Sequence, residues 1–66
     1  MKFTSREREV LDLAITGMSE RDIAKLLGIT PLTVKTYLTR IYREADIEDG
    51  HGSKRIRLMN KIRDER

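Results

Sequence analysis

Glu20-Arg21-Asp22-Ile23-Ala24-Lys25-Leu26-Leu27-Gly28-Ile29-Thr30-Pro31-Leu32-Thr33-Val34-Lys35-Thr36-Tyr37-Leu38-Thr39 is the stretch that decides the fold. Ser19, just ahead of it, is an N-cap residue, with Asp22 at the third helical position. Ile23, Ala24 and Leu27 repeat at i, i+1 and i+4, the apolar side of one short helix. Gly28 ends that helix, because positive φ costs glycine little. Thr30 as N-cap with Pro31 at N1 then starts a second helix, expected to run to about Ala45. Two helices meeting at a steep angle need a small residue where they touch, and Ala24 supplies it; the tight turn between them needs Gly28. Ile23, Leu27, Ile29, Val34 and Tyr37 are the expected inward positions. Each match is weak alone, but their joint occurrence predicts a helix-turn-helix over about residues 20–45.

The helix expected from Pro31 has two unlike sides. At ~100° per residue, Val34, Leu38, Ile41 and Ala45 fall in one narrow stripe. Lys35, Thr36, Thr39, Arg40 and Arg43 project from the other side, with no acid before Glu44. A helix that needs only solubility mixes its signs, as Arg6-Glu7-Arg8-Glu9 does. One side therefore suits a core and the other a polyanion, the alternative being a plain helical hairpin whose outer face does nothing.

Charge along the chain agrees. Residues 1–34 carry five basic and five acidic side chains, whereas residues 35–66 carry nine basic against six acidic, which accounts for the whole net charge of +3. Lys35 to Arg43 and Lys54 to Arg63 are basic stretches without an acid, the clustering expected of a polyanion-binding surface.

Two further helices are expected. Thr4 with Glu7 three residues on forms a capping box for a first helix from Ser5 to about Thr16, with Val10, Leu13 and Ala14 as its stripe, Leu11 widening it and Gly17 as its stop. After an acidic, glycine-containing loop from Asp46 to Gly52, a fourth helix is expected at about residues 53–63, with Ile56, Met59 and Ile62 on one side and Leu58 off it. The reading is an all-α, four-helix single domain over residues 1–66. At this length a chain buries only about 60% of its unfolded surface. With no cysteine in 66 residues it has no disulfide to help, so helix packing or a partner must supply stability.

Thr4-Ser5-Arg6-Glu7-Arg8-Glu9-Val10-Leu11, Gly17-Met18-Ser19, Asp22-Ile23-Ala24, Leu27-Gly28-Ile29 and Thr33-Val34-Lys35-Thr36-Tyr37 resemble the LuxR/NarL/GerE-type DNA-binding domain. The resemblance covers about residues 3–47. It implies a C-terminal-type LuxR fold whose third helix enters the major groove of double-stranded DNA, and a fourth helix that pairs two subunits on a two-fold site. Base-reading positions carry over to Lys35, Thr36, Thr39 and Arg40. Phosphate contacts carry over to Thr30 and Thr33 and to Lys54 or Arg55, with Arg43 added from the same outer face. Ile56, Met59 and Ile62 are then the expected dimer interface of a homodimer. Lys35 and Arg40 suit guanine O6 and N7, threonine methyls suit a thymine methyl, and hydroxyls at a helix N-terminus suit phosphate. The chain departs from the family in having Tyr37 where histidine is usual and Ala45 where leucine is usual, and Glu48 to Gly52 reads as an insertion. The sensory domain that most members carry ahead of this one is not in the sequence, so a stand-alone regulator is expected.

Other chemistries find no support. Glu7, Glu9 and Asp12 sit among Arg6 and Arg8, so surface ion pairs explain them. His51 has no other histidine or cysteine to share a metal, serines and threonines sit at caps, and no glycine-rich phosphate loop follows a strand. No enzyme, no cofactor and no metal is expected. Phe3, Tyr37 and Tyr42 are too scattered for a single-strand stacking platform, and Tyr42 is expected either on the core edge or along the DNA backbone. No apolar run approaches the ~18 residues that span a bilayer, so a cytoplasmic protein with no membrane partner is expected, and the resemblance implies a bacterial or phage origin. Two other functions compete. The Arg-Glu-Arg-Glu-Val-Leu opening also resembles region 4 of sigma factors, which would contact promoter and RNA polymerase. A protein-interaction module that occupies a host regulator would use Met18, Leu32 and Met59 as an apolar patch, residues otherwise expected at the edge of the core.

Overall fold

The structure, a computed structural model, describes residues 2–47 and 53–65, so the expectations for Glu48 to Gly52, His51 among them, lie outside the described residues. The helices are α1 (Ser5–Ala14), α2 (Glu20–Leu27), α3 (Pro31–Glu44) and α4 (Lys54–Glu65), and the described residues contain no strand. The fold is all-α, as the caps and apolar spacing predict.

Side chains close the N-termini of α1, α2 and α3. Thr4 Oγ1 accepts from the Glu7 amide at 3.1 Å while Glu7 Oε1 accepts from the Thr4 amide at 2.9 Å, the reciprocal capping box. Ser19 Oγ accepts from the Asp22 amide at 3.1 Å, and Thr30 Oγ1 from the Thr33 amide at 3.1 Å. α1 is two residues shorter than expected. The Gly17 amide reaches only to Ala14 O at 3.1 Å, and Thr16 Oγ1 takes Leu13 O at 2.6 Å, which converts the last turn into a tight exit.

α2 and α3 end in the same way. Gly28 has φ 69° and ψ 33°, and the Ile29 amide then reaches back to Ala24 O at 3.0 Å. This left-handed exit satisfies carbonyls that the helix leaves open. Past α3, Asp46 takes φ 58°, with the Ile47 amide on Tyr42 O at 2.8 Å and the Asp46 amide on Arg43 O at 3.1 Å. A short polar side chain makes that conformation tolerable for a residue other than glycine.

α3 is the central helix, packed more extensively on α1 and on α2 than those two are on each other. Val34, Leu38, Ile41 and the following Ala45 are buried, and around them lie Val10, Leu11, Ala14, Ile23, Ala24, Leu58 and Ile62. Leu13, Leu27, Ile29, Tyr37 and Tyr42 are half-buried against this cluster. Leu11 is thus a full core residue while Leu13 sits at its margin.

The fourth helix corrects the sequence reading. Leu58 is fully buried and Ile62 only 7% exposed, whereas Ile56 is 59% exposed and Met59 is half-buried. Residues three apart drift by ~60° per step, so Ile56 and Ile62 lie ~120° apart, while Leu58 and Ile62, at i and i+4, share a face. Polar contacts fix this rotation: Arg55 Nη1 donates to the Met18 carbonyl and Lys61 Nζ to the Ala45 carbonyl. Ile62 is therefore committed to the core of its own subunit and drops out of the expected dimer stripe. Leu58→Ala should cost about 2–5 kcal/mol in urea unfolding, as for other truncated core leucines, and Ile56→Ala less than about 0.5 kcal/mol. The reverse order would restore the original register.

Candidate nucleic-acid interface

The outer side of α3 is open along its length. Lys35, Thr36, Thr39, Arg40 and Arg43 are all exposed, while Val34, Leu38 and Ile41 on the opposite side are at most 2% exposed. Arg6–Glu9 at 2.9 Å and Arg8–Asp12 at 3.7 Å are ion pairs within α1. Cations on the outer side of α3 are therefore not neutralised by these pairs. Glu44, the first acid of α3, accepts the Lys2 amide at 2.9 Å, which ties the N-terminal arm to the far end of the helix.

The helix start is built from hydroxyls. Thr30 Oγ1 holds the Thr33 amide, and the two threonine hydroxyls lie 2.9 Å apart, forming one polar cluster over the first turn. Pro31 occupies the first helical turn, where a missing N–H leaves no gap in the bonding pattern. Thr30 is exposed and Thr33 half-buried, so both sequence-predicted phosphate positions sit at this N-terminus, where the helix dipole favours an anion.

Further along, the hydroxyls turn back on the helix. Thr36 Oγ1 donates to Leu32 O at 3.1 Å and Thr39 Oγ1 to Lys35 O at 3.0 Å. The Arg40 guanidinium lies 5.9 Å from the centre of the Tyr37 ring, so the aromatic edge of the core supports a cation at the surface. Lys54 Nζ lies 5.7 Å from the centre of the Tyr42 ring, which links the start of α4 to the end of α3. Tyr42 itself is half-buried against the core.

Two expected positions are placed differently from the rest. Arg55 is half-buried and spends a guanidinium hydrogen bond on the carbonyl of Met18, beside the turn from α1 to α2. Of the pair Lys54 and Arg55, only Lys54 adjoins α3. Leu32, expected at the edge of the core, is 72% exposed and stands on the same outer side as the cations. The signal for it was in the sequence: Leu32 precedes Lys35 and Thr36 by three and four residues, which puts all of them on one face. Met18 and Met59 are half-buried, less open than Leu32.

Fold and surface together define a helix-turn-helix domain with a cation-and-hydroxyl outer helix. The chain belongs to the bacterial regulatory proteins of the luxR family, whose pattern matches residues 1–48. It is 36% identical over 58 residues to the putative HTH-type transcriptional regulator Mb0914c of Mycobacterium bovis, a match covering 88% of this chain and 6% of that protein. It is 36% identical over 59 residues to the transcriptional regulatory protein MctR of Rhizobium johnstonii, covering 89% of this chain and 28% of that protein. With the uncharacterized transcriptional regulatory protein YxjL of Bacillus subtilis it shares 40% identity over 47 residues, 71% of this chain and 22% of that one. The chain thus spans less than a third of the length of these relatives. No solved structure matches the chain at a significant level. α4 lies beyond the residues that the family pattern matches.

Thr30→Ala removes both the cap and the partner of the Thr33 hydroxyl. It should lower stability by about 1 kcal/mol, a fall in Tm of about 4–8 °C for a domain of this size, measured by circular dichroism. An unchanged Tm would mean that the cap contributes nothing to holding the start of α3.

Proposed function

We propose that this domain is a sequence-specific regulator of transcription that binds double-stranded DNA by laying the outer side of α3 in the major groove. The observation that carries the reading is the division of α3 into a packed aliphatic side and an exposed side of Lys35, Thr36, Thr39, Arg40 and Arg43. A major groove ~12 Å wide admits such a helix, and cations reaching base edges supply bidentate contacts to guanine. Lys35, Thr36, Thr39 and Arg40 are the proposed base-reading residues. Thr30, Thr33, Arg43 and Lys54 are proposed to hold phosphates, with Arg55 left mainly to brace α4.

Lys35→Ala and Arg40→Ala should each weaken binding to a selected duplex by about 1–3 kcal/mol with helicity unchanged. Arg43→Ala should weaken all duplexes alike and reduce the salt slope by about one unit, because a lost phosphate contact releases fewer counterions. Fluorescence anisotropy at several salt concentrations measures both effects. Undiminished binding in Lys35→Ala and Arg40→Ala together would remove the outer side of α3 from the interface.

The same proposal includes two copies on a two-fold site, with half-sites about one helical turn apart. With Ile62 buried, the surface that α4 offers for pairing narrows to Ile56 and Met59. Met59 lines a cleft of ≈ 210 Å³ with Ile15, Ile62 and Arg63. Ile56→Glu should abolish cooperative binding of two copies to a full site while leaving single-copy binding to a half-site intact, as read from sedimentation of the complexes. Cooperative binding that survives would place the subunit contact elsewhere.

A further inference from the structure

Leu32 is the one large aliphatic side chain on the outer side of α3, and the described residues leave it open: it is 72% exposed, more than Ile56 or Leu26. Its direction is what makes it informative. Taking Lys35 as origin and ~100° per residue, Thr36 points to ~100°, Thr39 to ~40°, Arg40 to ~140° and Leu32 to ~60°. Leu32 thus lies inside the arc spanned by the proposed base-reading residues, close to its middle. The packed stripe of Val34, Leu38, Ile41 and Ala45 points the opposite way.

Its place along the helix adds a second constraint. Leu32 is the second residue of α3, directly after Pro31, and its turn is fixed by the hydroxyl cluster of Thr30 and Thr33. In helix-turn-helix docking, the N-terminal residues of the recognition helix are the ones that reach base edges. The Leu32 side chain can neither donate nor accept a hydrogen bond, so the only feature of a base edge in the major groove that it complements is apolar. Unmodified DNA offers one such group there, the 5-methyl of thymine.

We propose that Leu32 is a specificity-determining residue that packs on the 5-methyl group of a thymine within each half-site. This rests on the groove-reading function proposed above and assigns one position of the sequence that the function reads. Hydrogen-bonding cations would choose guanines, and Leu32 would choose a thymine at the end of the site facing the start of α3.

The test begins with selection of duplexes from a random pool by the full chain, followed by a scan in which each thymine of the selected duplex is replaced by deoxyuridine. That change deletes the methyl and leaves pairing intact. For the unaltered chain, one replacement per half-site should weaken binding about fourfold, the equivalent of ~0.8 kcal/mol for one buried methyl-sized group. Leu32→Ala should bind the thymine duplex more weakly and should be indifferent to uracil at that same position. Circular dichroism should show Leu32→Ala folded, since the side chain is exposed. If Leu32→Ala binds as tightly as the unaltered chain, or keeps the full uracil penalty at every position, the proposal is overturned, and the methyl is read by Thr36 or Thr39 or by nothing. Failure of the parent reading looks different: no duplex is enriched, or Lys35→Ala and Arg40→Ala bind the selected duplex undiminished, and Leu32 then has no groove to read.

Discussion

α3 is the helix on which both α1 and α2 pack, and that constraint governs both the fold and the surface. The chain has 66 residues and no cysteine, so its stability rests on one small aliphatic cluster. Val34, Leu38, Ile41 and Ala45 sit at the middle of that cluster, with α1 and α2 on either side and Leu58 of α4 closing it. A helix held on its inner side by α1 and α2, over a core that Leu58 and Ile62 complete, is not free to rotate about its axis. A turn of ~100° would bring Lys35 or Arg40 toward the core, where an unpaired charge costs several kcal/mol. Packing thus determines which residues face outward as firmly as it determines which face inward.

The helix ends set where that outer side begins and stops. Gly28 in the left-handed conformation sends the chain out of α2 at once, and Thr30 with Pro31 restarts it within three residues. At the other end Asp46 takes the same conformation and returns Ile47 to the core. The two exits are alike in hydrogen bonding, yet only one uses glycine. A Cβ on Gly28 would meet nothing within 4 Å, so glycine is needed there for its φ of +69° and not for space. Asp46 reaches the same region through a residue whose carboxylate sits poorly beside the negative end of α3. That exit is the less favourable of the two.

The contrast explains what could be read from the amino-acid order. Where a terminus is held by a residue of the expected kind, by side chain at Thr4, Ser19 and Thr30 and by backbone at Gly28, the helix boundary is legible. The inner stripe of α3 was legible too, because four aliphatics at helical spacing leave one solution. Asp46 was not, since an aspartate is a far weaker signal of positive φ than a glycine. α4 was misread because the spacing of Ile56, Met59 and Ile62 looks like a stripe over one step and is not one over two. Its rotation buries Leu58 and Ile62, which share a face at i and i+4, and is braced by the reach of Arg55 to Met18 and of Lys61 to Ala45, contacts across 37 and 16 residues. Leu32 differs from its expected place at the core edge for a related reason: its aliphatic type suggests a core residue, while its spacing to Lys35 and Thr36 sets it on the outer face.

Direction also bears on how the outer side can discriminate. Thr36 and Thr39 already donate their hydroxyl protons to the carbonyls of Leu32 and Lys35. Used as donors to a base, they would first have to give up those bonds, and the net gain would be small, as for any exchange of one hydrogen bond for another. Their remaining assets are an acceptor lone pair and a methyl group. On the proposed function, hydrogen-bond donation to base edges then falls to Lys35 and Arg40, the latter steadied by Tyr37. The centre of the face, with Leu32 and the threonine methyls, is suited to apolar contact. A site read by such a surface would pair guanines at the positions of the two cations with thymine between or beside them, because donors and methyls are segregated along α3 by the same rotation that buries Val34 and Leu38.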